Sequence, residues 1–358
     1  MVKVIMVFFI LQWNARSLIA NGQEFKKYVQ ELTNKPDIIC IQETWLKPHL
    51  DFILKGYHSI RLDRKKDRGG GCITFIKEGI SFTHINTVTD HENVVTEIFN
   101  GNKEKLTVIN YYNPCKAITH DLMRSINKGG QREIWCGDFN AHNSLWGSKY
   151  TDLNGEVLEE MINDRMLVCL NNGNGTRINI YKNETSCIDL TLIDRRIASR
   201  CEWEVDHSTS MGSDHFPILC KIDIDVKIDE MYAHHRWCFK KANWEKFNEC
   251  CIDELNEIHD ETDQSIDEMN HNLSMCMVVA ASQSIPNTMS QKGKTNVPWW
   301  NEECSGAIKK RNRAFKILRT TLTMDNLMDY QRKKALARKV IKEAKKESWR
   351  QFCSTIRK

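Results

Sequence analysis

The chain has 358 residues, 41% hydrophobic and 27% charged, enough for one large domain with an appendage or for two domains. This is a globular composition, which excludes a disordered or low-complexity chain, and the most apolar run, Val4–Leu11, is too short to cross a membrane as a helix. The formal net charge of +4 is unevenly spread: residues 291–358 carry 19 Lys/Arg against 6 Asp/Glu, net +13, leaving 32 against 41, net −9, for residues 1–290. A basic tail on an acidic body implies a polyanionic partner for the tail, unless the run is simply a solvated helical face.

The apolar run after Lys3 mimics a signal-peptide core. No small-x-small cleavage site follows it, and it leads into polar residues, so it reads as a buried strand over 4–11 and the protein as intracellular, nuclear or cytoplasmic rather than secreted. Further strands are predicted at 38–42, 72–76, 94–98, 106–112, 133–137, 188–193 and 217–223. Helices are predicted at 22–32, where Phe25, Val29 and Leu32 share a face, and at 119–127 and 155–163. Gly69-Gly70-Gly71 precedes a strand rather than a helix and lacks a following Lys-Ser/Thr, so it opens a strand and is no phosphate loop. Many strands with few, irregularly placed helices predict an α/β (α+β) domain of stacked sheets.

After about residue 226 glycine becomes rare and helical periodicity takes over. Segment 243–285 is acidic, with Trp244, Phe247, Cys251 and Leu255 in register. Pro286 and Pro298 bracket a polar linker, and 300–319 and 325–356 read as basic helices. In the second, Tyr330, Ala337, Ile341, Ala344, Ser348 and Phe352 form an apolar stripe. Trp299-Trp300 read as anchors for these helices rather than as base-stacking residues. The 14 cysteines include no Cys-x-x-Cys pair and sit mostly in apolar runs, as buried free thiols do in a reducing compartment.

The chemistry gathers at strand ends. In Trp135-Cys136-Gly137-Asp138-Phe139-Asn140-Ala141-His142 a buried strand runs into a carboxylate and a carboxamide two residues apart, pointing the same way on extended backbone. Asn14, Glu43 and Tyr112 stand at the ends of three other predicted strands, and Asp214-His215 stand before a fourth. Asp189 lies in an otherwise apolar strand, where a carboxylate is costly to bury without a partner. Any one of these could be a cap, a turn or a structural histidine. Their repetition at five or six strand ends is what a single polar cleft produces.

Trp13-Asn14, Gln42-Glu43-Thr44, Tyr112-Asn113-Pro114, Gly137 through His142, Ser186-Cys187-Ile188-Asp189 and Ser213-Asp214-His215 together resemble the ordered motifs of the endonuclease/exonuclease/phosphatase superfamily. Leu11 through Ser17 and Gly137 through His142 further resemble the apurinic-endonuclease-like domain of jockey-type non-LTR (LINE-type) retrotransposon polyproteins, over about residues 10–224. The segment from Pro298 through Cys304 and the basic helices after it resemble the region that follows that nuclease. No Asp-Asp pair of the polymerase type occurs, so the chain looks like a truncated element, a fragment or an isolated reading frame.

The resemblance implies a four-layer sandwich of two packed β-sheets with outer helices over 1–225, followed by a helical basic region over 226–358. It implies that Glu43 binds Mg²⁺, with Mn²⁺ able to replace it, and that Asn14 and Asp214 lie close by. Asp138 would activate or orient the attacking water, and Asn140 would help hold that water and the phosphate. Tyr112 would hydrogen-bond a phosphate oxygen, and His215, oriented by Asp189, would donate to the phosphoryl group. The expected reaction is nicking of double-stranded DNA to leave a 3′-hydroxyl for target-primed reverse transcription. Element RNA is a second candidate ligand for the tail, and no membrane is involved. The competing readings are a phosphodiesterase or phosphatase of the same fold acting on another substrate, and an inactive nucleic-acid-binding remnant.

Overall fold

The computed structural model describes residues 7–65, 67–87, 89–99, 105–127, 132–182, 184–223, 235–257, 266–289 and 299–356. The start of the first predicted strand, the boundary expected at 225, the 290–298 linker with Pro298, and His234 lie outside them. The first strand, β1, is Val7–Asn14, followed by α1 (Leu18–Glu31), β2 (Ile38–Gln42), β3 (Tyr57–Leu62) and β4 (Cys72–Lys77). Next come β5 (Phe82–Ile85), β6 (Glu92–Phe99), β7 (Lys105–Tyr112), α2 (His120–Ile126) and β8 (Arg132–Asp138). Then follow α3 (Leu153–Asp164), β9 (Leu167–Cys169), the hairpin β10 (Arg177–Asn179) and β11 (Glu184–Ser186), and β12 (Asp189–Asp194). Helix α4 (Arg195–Ala198), β13 (Cys201–Val205) and β14 (Ile218–Asp223) complete the sheets.

Two six-stranded mixed sheets result, in the orders β13-β14-β1-β2-β4-β3 and β5-β6-β7-β8-β12-β9. The pairs β1–β2 and β7–β8 are parallel and all the other neighbours antiparallel. The sheets face each other across Phe8, Ile10, Ile38 and Cys40 from one and Val108, Ile134, Cys136 and Ile193 from the other. Helix α1 covers the outer face of the first sheet by placing Leu18, Phe25 and Val29 on Trp13, Ile39 and Ile41. Helices α2 and α3 cover the second by placing Met123, Ile126, Leu158 and Met161 on Ile109, Trp135 and Leu190. These are the four expected layers. All eight predicted strands and all three predicted helices are present, and Asn14 proves to end β1 rather than to follow it.

The chain divides into two compact units, Met1–Ile228 with Asn296–Lys358, and Asp229–Thr295. In the second, β15 (His235–Trp237) pairs with β16 (Asn287–Met289), and α5 (Trp244–Glu257) packs on α6 (Ile266–Ser284). The stripe predicted on α5 is only partly covered, since Trp244 and Leu255 are exposed. The basic helices α7 (Glu302–Thr320) and α8 (Met324–Ile356) belong to the first unit. Phe315 and Leu318 of α7 and Tyr330 of α8 pack with Ile178 and Phe216 of the body. The α8 stripe is buried at Tyr330 and Ala337 and runs out to an exposed Phe352. Trp299 and Trp300 are half-buried, with Lys345 over the first and Lys27 over the second. All 14 cysteines are free, and no helix among the described residues is long and apolar enough to cross a membrane.

Candidate active site

Strand periodicity carries the functional side chains to one place. Alternate residues of a strand face the same side, and the inward positions change character from one end of the layer to the other. In β1 they are Phe8, Ile10, Gln12 and Asn14; in β7, Leu106, Val108, Asn110 and Tyr112; in β8, Ile134, Cys136 and Asp138. In β12, read backwards, they are Ile193, Thr191 and Asp189. The interior is therefore apolar at one end, amide- and hydroxyl-lined in the middle, and acidic at the other end. The middle belt ties the sheets together. Gln12 donates to the Gly137 carbonyl (3.0 Å) and accepts from Thr191 (3.1 Å), and Gln42 donates to Asn110 (2.8 Å). Register then aligns the ends, since Tyr112 and Asp189 are the cross-strand partners of Asp138 on its two sides. Gly137 is required by the close approach of β7, because a Cβ there would lie 1.9 Å from the Tyr111 carbonyl oxygen.

Beyond the strands, two loops zip together. The Ala15, Ser17 and Leu18 amides donate to the carbonyls of Gln42, Glu43 and Thr44, and the Trp45 amide donates to Gly70. The predicted glycine run thus serves as a strand opening, with β4 starting directly after Gly71. Arg16, Glu43, Trp45 and Asn140 hold positive φ (44°, 50°, 56° and 45°), a conformation that side-chain-bearing residues keep only when their surroundings impose it. Asn14, fully buried, donates to Glu43 Oε1 (3.1 Å) and to Asp138 Oδ2 (2.7 Å), while its own oxygen accepts from the Arg16 amide (3.0 Å). The other Glu43 oxygen accepts from the Trp45 indole (3.0 Å).

The costly Asp189 has its partner. His215 Nδ1 lies 2.8 Å from Asp189 Oδ2, which also accepts from the Thr176 hydroxyl (2.7 Å). The other ring nitrogen of His215 faces Asp138 Oδ2 at 3.9 Å. Burial opposes charge on this imidazole, but the Asp189 carboxylate and its hydrogen bond, helped by Asp138 and Asp214, push it up to about 9. Burial raises Asp138 to about 7, with repulsion from Asp189 and Glu43 adding to it and His215 and Asn14 opposing it. Near neutral pH the site therefore pairs an imidazolium with a carboxyl poised to take up or release a proton.

The remaining predicted residues surround this chain. The Asn140 amide donates to Asp138 Oδ1 (3.2 Å) and its side chain to the Asn113 carbonyl (2.7 Å). Asn113, fully buried, braces that turn by donating to the Phe139 carbonyl (2.9 Å). Burial and the nearby Glu43 and Asp138 push the Tyr112 phenol up, so it stays a donor, and Arg64 lies over its ring at 5.8 Å. Asp214 shows one oxygen to two guanidiniums, Arg16 at 2.9 Å and Arg177 at 3.1 Å, and its Oδ1 is buried without a hydrogen-bond partner. Burial alone would raise its carboxyl, but His215 and the two arginines hold it below the usual range. Arg16, Arg64, Thr176 and Arg177 escaped the sequence reading. Arg16 lies within the matched first motif and could have been flagged there; the others sit in segments with no pattern to mark them.

The donor set fits a hard divalent cation. Among the described residues Glu43 has no cationic partner within ion-pair distance and is held only by neutral donors. It adds negative charge beside an already raised Asp138, and Asp214 keeps an orphaned buried oxygen. Oxygen ligands with few carboxylates are what Mg²⁺ and Mn²⁺ accept. Asp138, Asp189 and His215 also converge within 4.8 Å, but both oxygens of Asp189 are engaged, so this trio is a hydrogen-bonded Asp189–His215 pair facing Asp138 rather than a cage.

Residues 106–219, which run from β7 into β14 and hold six of the predicted site residues, Tyr112, Asp138, Asn140, Asp189, Asp214 and His215, match the family model described as endonuclease-reverse transcriptase. The body shares its fold with solved endonuclease structures. It superposes on the endonuclease domain of TRAS1, a telomere-specific non-LTR retrotransposon, with a TM-score of 0.51 and 23% identity, covering 61% of this chain and 99% of that one. It also superposes on the AP endonuclease LMAP of Leishmania major with a TM-score of 0.52 and 16% identity, covering 61% and 88%. In sequence the chain is 25% identical over 230 residues to the probable RNA-directed DNA polymerase from transposon BS of Drosophila melanogaster. That match covers 60% of this chain and 24% of the relative, so the chain spans about a quarter of the relative's length.

Proposed function

We propose that the protein is a divalent-metal-dependent endonuclease that nicks one strand of duplex DNA and leaves a 3′-hydroxyl able to prime reverse transcription. The observation that carries this reading is the convergence of two hydrogen-bonded groups, Asp189 with His215 and Glu43 with Asn14 and Asp138, which face each other across 3.9 Å between the His215 ring and Asp138 at one end of the two sheets. Glu43 would hold the cation with Asn14 and Asp214 beside it, and the cation would polarise the phosphate and offset its charge. Asp138 takes the proton of the attacking water, which Asn140 positions. Tyr112 and the His215 imidazolium donate to phosphate oxygens as charge builds on the phosphorane, the contribution expected to be largest. Asp189 fixes the His215 tautomer and keeps the ring charged. Open-circular, nicked DNA formed from supercoiled plasmid with Mg²⁺, blocked by EDTA and lost in Glu43→Gln with DNA binding retained, is the expected result. Binding without nicking would instead mark an inactive remnant, and hydrolysis only of small phosphodiesters would mark a different substrate. Nothing in the geometry of the tail favours RNA as its ligand.

A further inference from the structure

Helices α7 and α8 are built into the nuclease. Buried Arg311 is paired in a fork to Glu24 of α1, with one bond of 2.7 Å. Phe315 packs on Phe216, the residue after His215, with ring centroids 6.0 Å apart, and Arg319 lies over the same ring at 5.0 Å. With Tyr330 and Ala337 buried, the rotation of α8 is set, and Lys334 and Arg338 share one side, a turn apart. That side closes an open cavity of about 800 Å³ lined also by Arg16, Lys47, Arg68 and Trp45, with no acidic residue in its wall.

The cavity adjoins the candidate active site through two of its own residues. Arg16 is paired to Asp214, and Trp45 holds Glu43. Among the described residues neither Lys334 nor Arg338 has an acidic partner within ion-pair distance. Lys334 is half-buried, and burial together with Arg338, Arg311 and Arg16, against an opposing pull from Asp214, lowers its ammonium to about 8. A merely solvated basic helix would not bring cations together at a cost; bound anions would relieve it.

We propose that α8 forms part of the DNA-binding wall, with Lys334 and Arg338 joining Arg16, Lys47 and Arg68 to grip phosphates of the strand that flanks the scissile bond. The proposal rests on the DNA-nicking reading and adds to it a binding element that lies outside the motif-bearing sheets.

The test uses the full chain and a short DNA duplex. Lys334→Ala with Arg338→Ala is compared with Arg332→Ala and Lys346→Ala, exposed cations on another face of α8 whose loss changes net charge equally. Anisotropy in EDTA over a salt series should show the cleft pair losing about tenfold in affinity and about 2 units of the log K against log salt slope, with the control pair much closer to wild type. Equal effects of the two pairs, or none, would overturn the proposal. If the cleft pair melts early, Lys334→Arg with Arg338→Lys must restore fold and binding together; restored fold without binding overturns it too. Displacement of the duplex by inorganic phosphate at about 1 mM, dependent on the cleft pair, would mark a small-anion site and also overturn it. The two readings fail separately. Wild type that binds through Lys334 and Arg338 but never nicks sinks the nuclease reading and leaves the wall. Wild type that nicks while both pairs bind alike sinks the wall alone.

Discussion

The two ends of the layer between the sheets are made from the same strands with the same alternation, yet they do opposite work. At one end Phe8, Ile10, Val108, Ile134 and Ile193 exclude water and hold the sheets together. At the other Asn14, Tyr112, Asp138 and Asp189 occupy equivalent inward positions, buried almost as completely, and cost stability to keep there. A sandwich built of long strands can afford a costly end because its apolar end is far enough away to be undisturbed. The middle belt of Gln12, Gln42, Asn110 and Thr191 insulates one from the other with bonds that are all satisfied across the sheets except for Gln42 Oε1.

That division is open to attack at four points. The largest effect is expected from Asp138→Asn, which should cut nicking by about 10²–10⁴-fold, as loss of a general base does. The same change should raise stability in EDTA by about 1–2 kcal/mol, because a buried carboxylate is removed. The sign follows from the raised folded value of about 7. The folded state holds its proton where the unfolded state has released it, so wild-type stability falls as pH rises from the ordinary carboxylate range through about 7, and the variant should lack that fall. A variant both inactive and less stable in thermal melts would put Asp138 among the structural residues and erase the contrast.

At the opposite end Ile134→Ala should cost about 2–5 kcal/mol of stability by leaving a cavity, while kcat and its pH profile stay unchanged in the folded fraction. A shifted profile would mean the belt does not insulate. Asp189→Asn should lower nicking by about 10–100-fold, the usual loss for an orienting partner. His215 stays charged below about 9, so nicking that needs the imidazolium should fall as pH rises through that value in wild type. Without the Asp189 charge, burial acts unopposed by its main partner, and this falling limb should move to lower pH. A limb that stays in place would show that the two residues act separately. The smallest change is expected in the belt itself. Asn110→Leu leaves the Ile73 carbonyl and Thr74 without their donor and should cost about 1–3 kcal/mol, with the pH profile retained.

Much of this was readable in the chain. Every predicted strand and body helix formed, because burial of alternate residues imposes a period of two and of every third or fourth a period near 3.6. The strands that escaped were short or lay at sheet edges, such as β3, β5, β10, β11 and β13, where one-sided exposure leaves mixed patterns such as Tyr57–Leu62. The acidic and amide residues were legible as a set, since each stands at or beside the end of an apolar strand. The arginines that complete the site were not. Arg177 reaches Asp214 from a hairpin without a periodic signal, and Arg64 reaches Glu92 and Tyr112 from a loop.

The sequence by itself determined which residues are extended or helical, which side of each strand faces inward, and which strand ends carry polar chemistry, because these depend on local spacing alone. Only the tertiary structure decided that Asp189 meets His215 across 26 positions and Asn14 meets Asp138 across 124. It alone brought the basic tail back onto the body, through Arg311 and Glu24, 287 positions apart. Such pairings rest on sheet register and on the burial of charge against charge, and neither leaves a mark in the neighbouring residues of the chain.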